Sequence, residues 1–160
     1  MSNGVYLTDE KIGELIACPK EFRGKPRDMV KVNQNYAQRF SVFSTDTDAE
    51  FSVFISYSQK MPQDFSIGLM YGDALLFRVN GFHGTTRKGF YLAKHHAAPH
   101  THTLTNEDVV AGRKSAPSKI DETAGEYVDL LTARLYFFKR CGIMGYEKYF
   151  PEGEQVSMFD

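Results

Sequence analysis

The sequence feature that most constrains the fold is an alternation of apolar residues with serines in the segment 51–58. Its apolar members are Phe51, Val53, Ile55 and Tyr57, and serine occupies positions 52, 56 and 58. A period of two sends successive side chains to opposite faces of a strand, so this segment is expected to be a half-buried β-strand. Similar alternations at 36–42, 65–69 and 75–79 predict three further strands.

The connections between these segments favour an antiparallel meander. A turn at 61–64 and the pair Gly72-Asp73 join consecutive strands over only a few residues, which suits antiparallel neighbours. A fifth strand is expected through Phe90 and Leu92. The basic stretch that begins at Lys20 is expected to start as a solvated loop.

The C-terminal third changes to a helical period. Ser118 suits an N-cap, and apolar residues three or four apart, Leu131 and Leu135 among them, form one face, so one long helix is predicted over 118–140. Short helices are expected after Thr8 and after Thr105. The sequence therefore predicts a single α+β domain over 1–160, with a four- to five-stranded antiparallel meander sheet packed against the long C-terminal helix.

The composition excludes several classes of protein. With 42% hydrophobic and 24% charged residues and a net charge of −1, the chain is neither broadly disordered nor a polyanion binder over its whole surface. Two cysteines do not make a disulfide framework, so a reduced, cytoplasmic protein is expected. No signal peptide is visible and no apolar run approaches the ~20 residues of a membrane span, so no membrane association is expected.

The histidines are unevenly distributed. All five lie between His83 and His102, and the window 74–106 contains no Asp or Glu but four cations: Arg78, Arg87, Lys88 and Lys94. This region is therefore expected to be locally cationic, and more so as the pH falls.

The strand period groups some of these residues. Arg78 and Asn80 are two apart on one predicted strand and share the face opposite Leu75, Phe77 and Val79. His100 and His102 are also two apart, and Gly81 and Gly84 allow a bend that presents His83 near the same rim. If the strands pair, these side chains could converge. The candidate catalytic residues are Arg78, His83, His100 and His102, and the candidate substrate-binding residues are Asn80, Arg87, Lys88, Lys94 and His96.

Three interpretations of this cluster remain open. Two imidazoles and an arginine suit metal-independent RNA cleavage, in which one histidine is the base, another is the acid, and the cation stabilises the phosphate; no cofactor is then needed. Alternatively, His83, His100 and His102 could bind zinc or another divalent transition metal. In the third interpretation the histidines have no catalytic role, and the chain is a non-catalytic interaction module.

The segment 76–83, followed by His95-His96 and His100-Thr101-His102, resembles an uncharacterised domain family of bacteria and their prophages with the pattern R-x-N-G-x-H … H-x-H. More distantly, residues 65–104 are similar to the TumE-like toxins of toxin–antitoxin pairs. This resemblance implies functional roles for Arg78, Asn80, His83, His100 and His102. The expected partners are RNA, from the cationic histidine window, and a cognate antitoxin or another protein, from the resemblance. A homodimer is a further expectation, because the predicted long helix has apolar residues beyond one stripe.

Overall fold

The computed structural model describes residues 6–82, 86–87, 90–91, 98–122 and 126–151, with the backbone alone at 86–87 and 90–91. The described helices are α1 (Asp9–Ala17), α2 (Asn106–Val110) and α3 (Leu130–Arg140), and a 3-10 turn follows at Tyr146–Lys148. The strands are β1 (Lys20–Phe22), β2 (Val30–Val32), β3 (Asn35–Ser44), β4 (Glu50–Ser58), β5 (Phe65–Tyr71), β6 (Ala74–Asn80), β7 (Thr86–Arg87), β8 (Phe90–Tyr91), β9 (His100–Thr103), β10 (Lys119–Glu122) and β11 (Ile143–Met144).

Nine of these strands form one sheet in the order β10-β9-β6-β5-β4-β3-β1-β11, with β2 paired to β3. Every pairing is antiparallel except that of β1 with β11. The α+β class and the meander β3-β4-β5-β6 are confirmed. The expected count of four to five strands is wrong for the described chain, because β1, β2, β9, β10 and β11 add short pairings at both sides of the meander.

The helices cover one face of this sheet. Val53, Ile55, Ile67, Phe77 and Val79 are fully buried in the core. On the helix side, α1 contributes Ile12, Leu15 and Ile16, and the ring of Phe137 in α3 stacks on that of Phe77 with 6.2 Å between centroids. The opposite face of β4, β5 and β6 carries the alternate, more polar side chains, and this face positions the candidate site.

The prediction of one helix over 118–140 is wrong. Residues 119–122 form β10, whose backbone pairs with β9. Helix α3 begins only after Asp129, whose carboxylate accepts from the Thr132 amide at 2.8 Å in a capping box. Because Asp129 satisfies the first amides of α3, the helix has a stable start 11 residues later than the sequence predicts.

The predicted apolar face of this helix is also displaced. Leu131 and Leu135 are half-buried, whereas Leu130, Ala133 and Phe137 are buried against the sheet. The buried stripe is therefore offset by about one residue from the predicted one, or about a quarter of a turn. The homodimer, which was inferred from the apolar residues of the longer helix, stays a prediction.

The fifth strand also differs from its prediction. Phe90 and Tyr91 pair with β7 in a separate two-stranded sheet, and Leu92 lies outside the described residues. The strand that pairs with β6 is β9, which carries two of the histidines. In the described part of the chain, no helix has the length and apolarity needed to cross a membrane.

Lys20 links the C-terminal ends of α1 and α3 rather than lying in a solvated loop. Its ammonium group is fully buried and donates to the carbonyls of Ile16 at 2.7 Å, Cys18 at 3.0 Å and Cys141 at 2.7 Å. Ile16 lies in the last turn of α1, and Cys18 and Cys141 are the C-caps of α1 and α3, positions where helices leave acceptors unpaired. Burial lowers the pKa of Lys20, while three good hydrogen bonds favour the ammonium form.

We expect Lys20→Met to lower the free energy of unfolding by about 3 kcal/mol, because three carbonyls lose their donor and two of these contacts are buried. Lys31→Met, on the exposed strand β2, is the control and should change it by less than about 0.5 kcal/mol. Urea denaturation of both variants makes the comparison. Equal effects of the two substitutions would contradict a connecting role for Lys20.

Candidate functional site

Four of the predicted site residues meet on the face of the sheet opposite the core. The antiparallel register of β6 and β9 sets Arg78 opposite His102 and Asn80 opposite His100. Thr101 and Val79, which alternate with them, are buried and form another cross-strand pair. The structure therefore brings Arg78, Asn80, His100 and His102 together, and we call this set the Arg–His face. Their catalytic and binding roles stay predictions.

A chain of hydrogen bonds orders one end of this face. The Nε of Arg78 donates to Ser66 Oγ at 2.7 Å and to Asn80 Oδ1 at 3.0 Å, and Ser66 Oγ donates to the same Asn80 oxygen at 2.9 Å. Because Asn80 Oδ1 accepts from both groups, the amide nitrogen of Asn80 is directed the other way. It lies 3.3 Å from His100 Nε2.

This arrangement assigns a tautomer to His100. Its Nδ1 is 2.8 Å from the Ala98 carbonyl, which can only accept, so Nδ1 carries a proton. Its Nε2 then accepts from the Asn80 amide, which leaves the ring neutral. His100 and Asn80 are 0% and 1% exposed. His100 is therefore a buried, positioned ring with both nitrogens in use, and it is poorly suited to proton exchange with a ligand.

His102 is in a different position. It is half-buried, and its Nδ1 lies 3.0 Å from the Pro117 carbonyl, so this nitrogen also carries a proton. In the neutral ring, Nε2 is therefore the nitrogen without a proton. The two histidine rings lie edge to face with centroids 5.0 Å apart. Of the two, His102 is the better candidate for acid–base chemistry.

The buried carboxylate of Asp108 holds the segment that orients His102. One of its oxygens accepts from the amides of Thr105 and Ser118, each at 3.1 Å, and the other accepts from Arg113 at 3.2 Å. Ser118 directly follows Pro117, whose carbonyl accepts from His102. The capping box of α2 therefore supports the His102 ring through one residue of backbone.

Tyr127 supports the same strands from the core side. Its buried hydroxyl donates to the backbone carbonyl of Asn80 at 2.7 Å and lies 3.0 Å from the backbone carbonyl of His100. One proton is therefore shared between β6 and β9. The sequence places Tyr127 on the apolar face of the predicted long helix, but in the structure it precedes α3. Nothing in the local pattern signals its contact with the histidine strand.

The Arg–His face is less uniformly cationic than the sequence predicts. Burial lowers the pKa of Arg78, while the Asp64 carboxylate acts on it in the opposite direction. Glu122 on β10 pairs in register with His100 and is exposed. Both acids come from outside the window 74–106, which explains why the sequence count missed them.

Sequence reasoning also missed Phe54. On β4 it occupies the phase of Ser52 and Ser56, so a half-buried aromatic ring stands on the polar face. Its cross-strand partner is Gly68, and the partner of Gly68 is Arg78. The available signal was a single aromatic residue at a position where the alternation otherwise has serine.

The other predicted residues cannot be placed. His83, Lys88, Lys94 and His96 lie outside the described residues, and Arg87 belongs to β7 with its side chain undescribed.

The zinc alternative stays a prediction, because His83, one of its three ligands, lies outside the described residues. Both nitrogens of His100 are hydrogen-bonded, so this ring offers a metal no lone pair unless the network breaks. In the described ranges, no three His, Cys, Asp or Glu residues are grouped so that they could hold one ion.

Comparison with protein-family models, with curated proteins and with solved structures finds no match for this chain. The resemblances to the prophage domain family and to the TumE-like toxins stay predictions, so the case for function is built on the geometry of the Arg–His face.

We expect acid to destabilise the protein partly through Asp108. Burial raises the pKa of this carboxyl, but the hydrogen bonds from Ser118 and Thr105 outweigh burial and lower it from 3.8 to about 2. A lowered folded pKa gives stability that is present above about pH 4 and is lost as the pH falls towards 2, about 2 kcal/mol in all.

Urea denaturation at a series of pH values tests this contribution. Asp108→Asn should remove most of the loss between pH 4 and pH 2, whereas Asp73→Asn, whose side chain is 81% exposed, should leave it as in the wild type. An unchanged acid profile in Asp108→Asn would show that this carboxylate does not support the fold.

Proposed function

We propose that the Arg–His face binds the phosphodiester backbone of RNA and cleaves it without a metal ion. The observation that carries this proposal is the held guanidinium of Arg78, directly opposite His102 in the register of β6 and β9. Ser66 and Asn80 engage its Nε side. A guanidinium fixed along one edge keeps its planar fork in one orientation, which suits two phosphate oxygens.

The burial of Arg78 favours an anionic ligand. A partly desolvated cation gains most from an acceptor of opposite charge, and arginine stays protonated at neutral pH. Within the described residues, the hydrogen bonds of Arg78 are made through Nε and not through its terminal amino groups. Asp64 offsets part of this positive charge, so a phosphate at Arg78 would compete with that carboxylate.

The proposed chemistry uses His102 as the base. Its Nε2 takes the proton of a ribose 2′-hydroxyl, the 2′-oxygen attacks phosphorus, and the bond from phosphorus to the 5′-oxygen breaks. The products are a 2′,3′-cyclic phosphate and a 5′-hydroxyl, which takes its proton from the imidazolium of His83 as the predicted acid. Arg78 stabilises the charge that develops on the phosphate oxygens. Asn80 positions Arg78 by accepting a hydrogen bond from its Nε, and the His100 ring packs against that of His102.

RNA binding tests the role of Arg78. In the binding assay with a labelled single-stranded RNA at low salt, Arg78→Lys should weaken affinity about tenfold or more, because lysine cannot reproduce the bidentate fork. Arg27→Lys, at an exposed position away from the Arg–His face, is the control and should bind as the wild type does. Equal affinities of both variants would remove Arg78 from the proposal.

Cleavage of the same RNA tests the role of His102. We expect His102→Ala to bind RNA but to lose cleavage by about 10²–10⁴-fold. A chelator should leave wild-type cleavage unchanged. Cleavage that the chelator abolishes would contradict the metal-independent reaction and favour the zinc alternative. Failure of the wild type to bind or cut RNA would contradict the whole proposal and favour a module that binds an antitoxin or another protein.

A further inference from the structure

The face of the sheet opposite the core carries an aromatic ring in the same cross-strand row as two arginines. Across the strands, the register aligns Arg39 on β3, Phe54 on β4, Gly68 on β5 and Arg78 on β6. Arg39 is exposed, and its guanidinium carbon lies 5.9 Å from the centre of the Phe54 ring. The row continues to His102 on β9. A single apolar ring is thus flanked by cations in line with the Arg–His face.

Gly68 determines where this ring lies. A Cβ atom at position 68 would overlap Cε2 and Cζ of Phe54, so the ring covers the glycine backbone directly. Any larger residue there would push the ring off β5. The glycine therefore gives the Phe54 ring room over β5, where the Leu75 side chain of β6 also approaches, and the row continues to Arg78 on β6.

We propose that Phe54 is a stacking platform for an unpaired nucleobase whose neighbouring phosphate is held by Arg78. This inference rests on the proposed function and narrows its substrate to single-stranded RNA. Every base has a π-face that can stack on an aromatic side chain, whereas the bases of a duplex are already stacked on each other. The flanking cations suit the phosphates on either side of that base.

The position of the ring also agrees with this proposal. Because the Phe54 ring lies over Gly68 on β5, it is about one strand spacing, roughly 5 Å, from the backbone of β6, which carries Arg78. A base on Phe54 would therefore have its phosphate close to Arg78. The half-buried serines at positions 52 and 56, on either side of Phe54 along β4, add hydroxyl groups that can contact sugar or phosphate.

Phe43 provides a matched control on the same sheet. It is half-buried, shares the face of Arg39 on β3, and has the guanidinium carbon of Arg23 4.1 Å from its ring centre. Its cross-strand partner on β4 is Glu50, far from the row that contains Arg78. Phe43 thus has an aromatic ring and a cation but lacks the second guanidinium and the adjacent histidine.

The affinity test uses two ligands of equal length, a single-stranded RNA and an abasic strand with the same phosphates. We expect Phe54→Leu to weaken binding of the RNA about 5- to 100-fold, the range for loss of one stacked base, and to leave binding of the abasic strand unchanged. Phe43→Leu should bind both ligands as the wild type does.

The chain contains no tryptophan, so Phe54→Trp introduces a single fluorescent reporter that keeps an aromatic ring in place. We expect single-stranded RNA to quench its fluorescence, and the abasic strand to leave it unchanged. Phe43→Trp should not respond to either ligand. This second variant keeps the test valid if Phe54→Leu fails to fold.

The outcomes separate this inference from the proposed function. Suppose that Arg78→Lys weakens binding of both ligands, that Phe54→Leu weakens binding of neither, and that RNA does not quench the fluorescence of Phe54→Trp. RNA binding at Arg78 then stands, and the stacking platform is overturned. If the wild type binds neither ligand, the proposed function fails and this inference fails with it. Quenching of Phe54→Trp by duplex RNA as strongly as by the single strand would overturn the restriction to unpaired bases.

Discussion

The antiparallel register between β6 and β9 is the constraint on which the candidate site depends. It sets Arg78 opposite His102 and Asn80 opposite His100, although about 20 residues separate the partners in sequence. A slip by one residue would turn both histidines towards the core, because side chains alternate between the faces of a strand. The Tyr127 hydroxyl disfavours such a slip, because from the buried side it hydrogen-bonds to the backbone carbonyls of both Asn80 and His100.

Much of the fold could be predicted from local periodicity. The alternation of Phe51 to Tyr57 identified β4 because one face of that strand is buried and the other is not. The same method failed at 118–140, where apolar residues at helical spacing continue through β10. The pairing of β10 with β9 is a non-local contact, and the capping box at Asp129 starts the helix later. Strands as short as β1 and β11 have too few residues to show any period.

The candidate site was predictable only in part. A spacing of two correctly grouped Arg78 with Asn80 on one face and His100 with His102 on another strand's face. It could not show that His100 is buried and neutral, since that depends on the orientation of the Asn80 amide. Supporting groups such as Asp108 belong to distant elements and act through backbone contacts. The aromatic residue among the serines of β4 was visible in the sequence, but its meaning required the register with Gly68 and Arg78.

The most direct test of this account is the protonation of the two ring nitrogens of His100, measured by long-range proton–nitrogen NMR correlations at neutral pH. The account predicts a neutral ring with the proton on Nδ1, bonded to Ala98, and a bare Nε2 that accepts from Asn80. Asn80→Leu removes that donor and should change the Nε2 signal. A proton on Nε2 of wild-type His100, or a doubly protonated ring, would contradict the ordered network and the assignment of His102 as the reactive histidine.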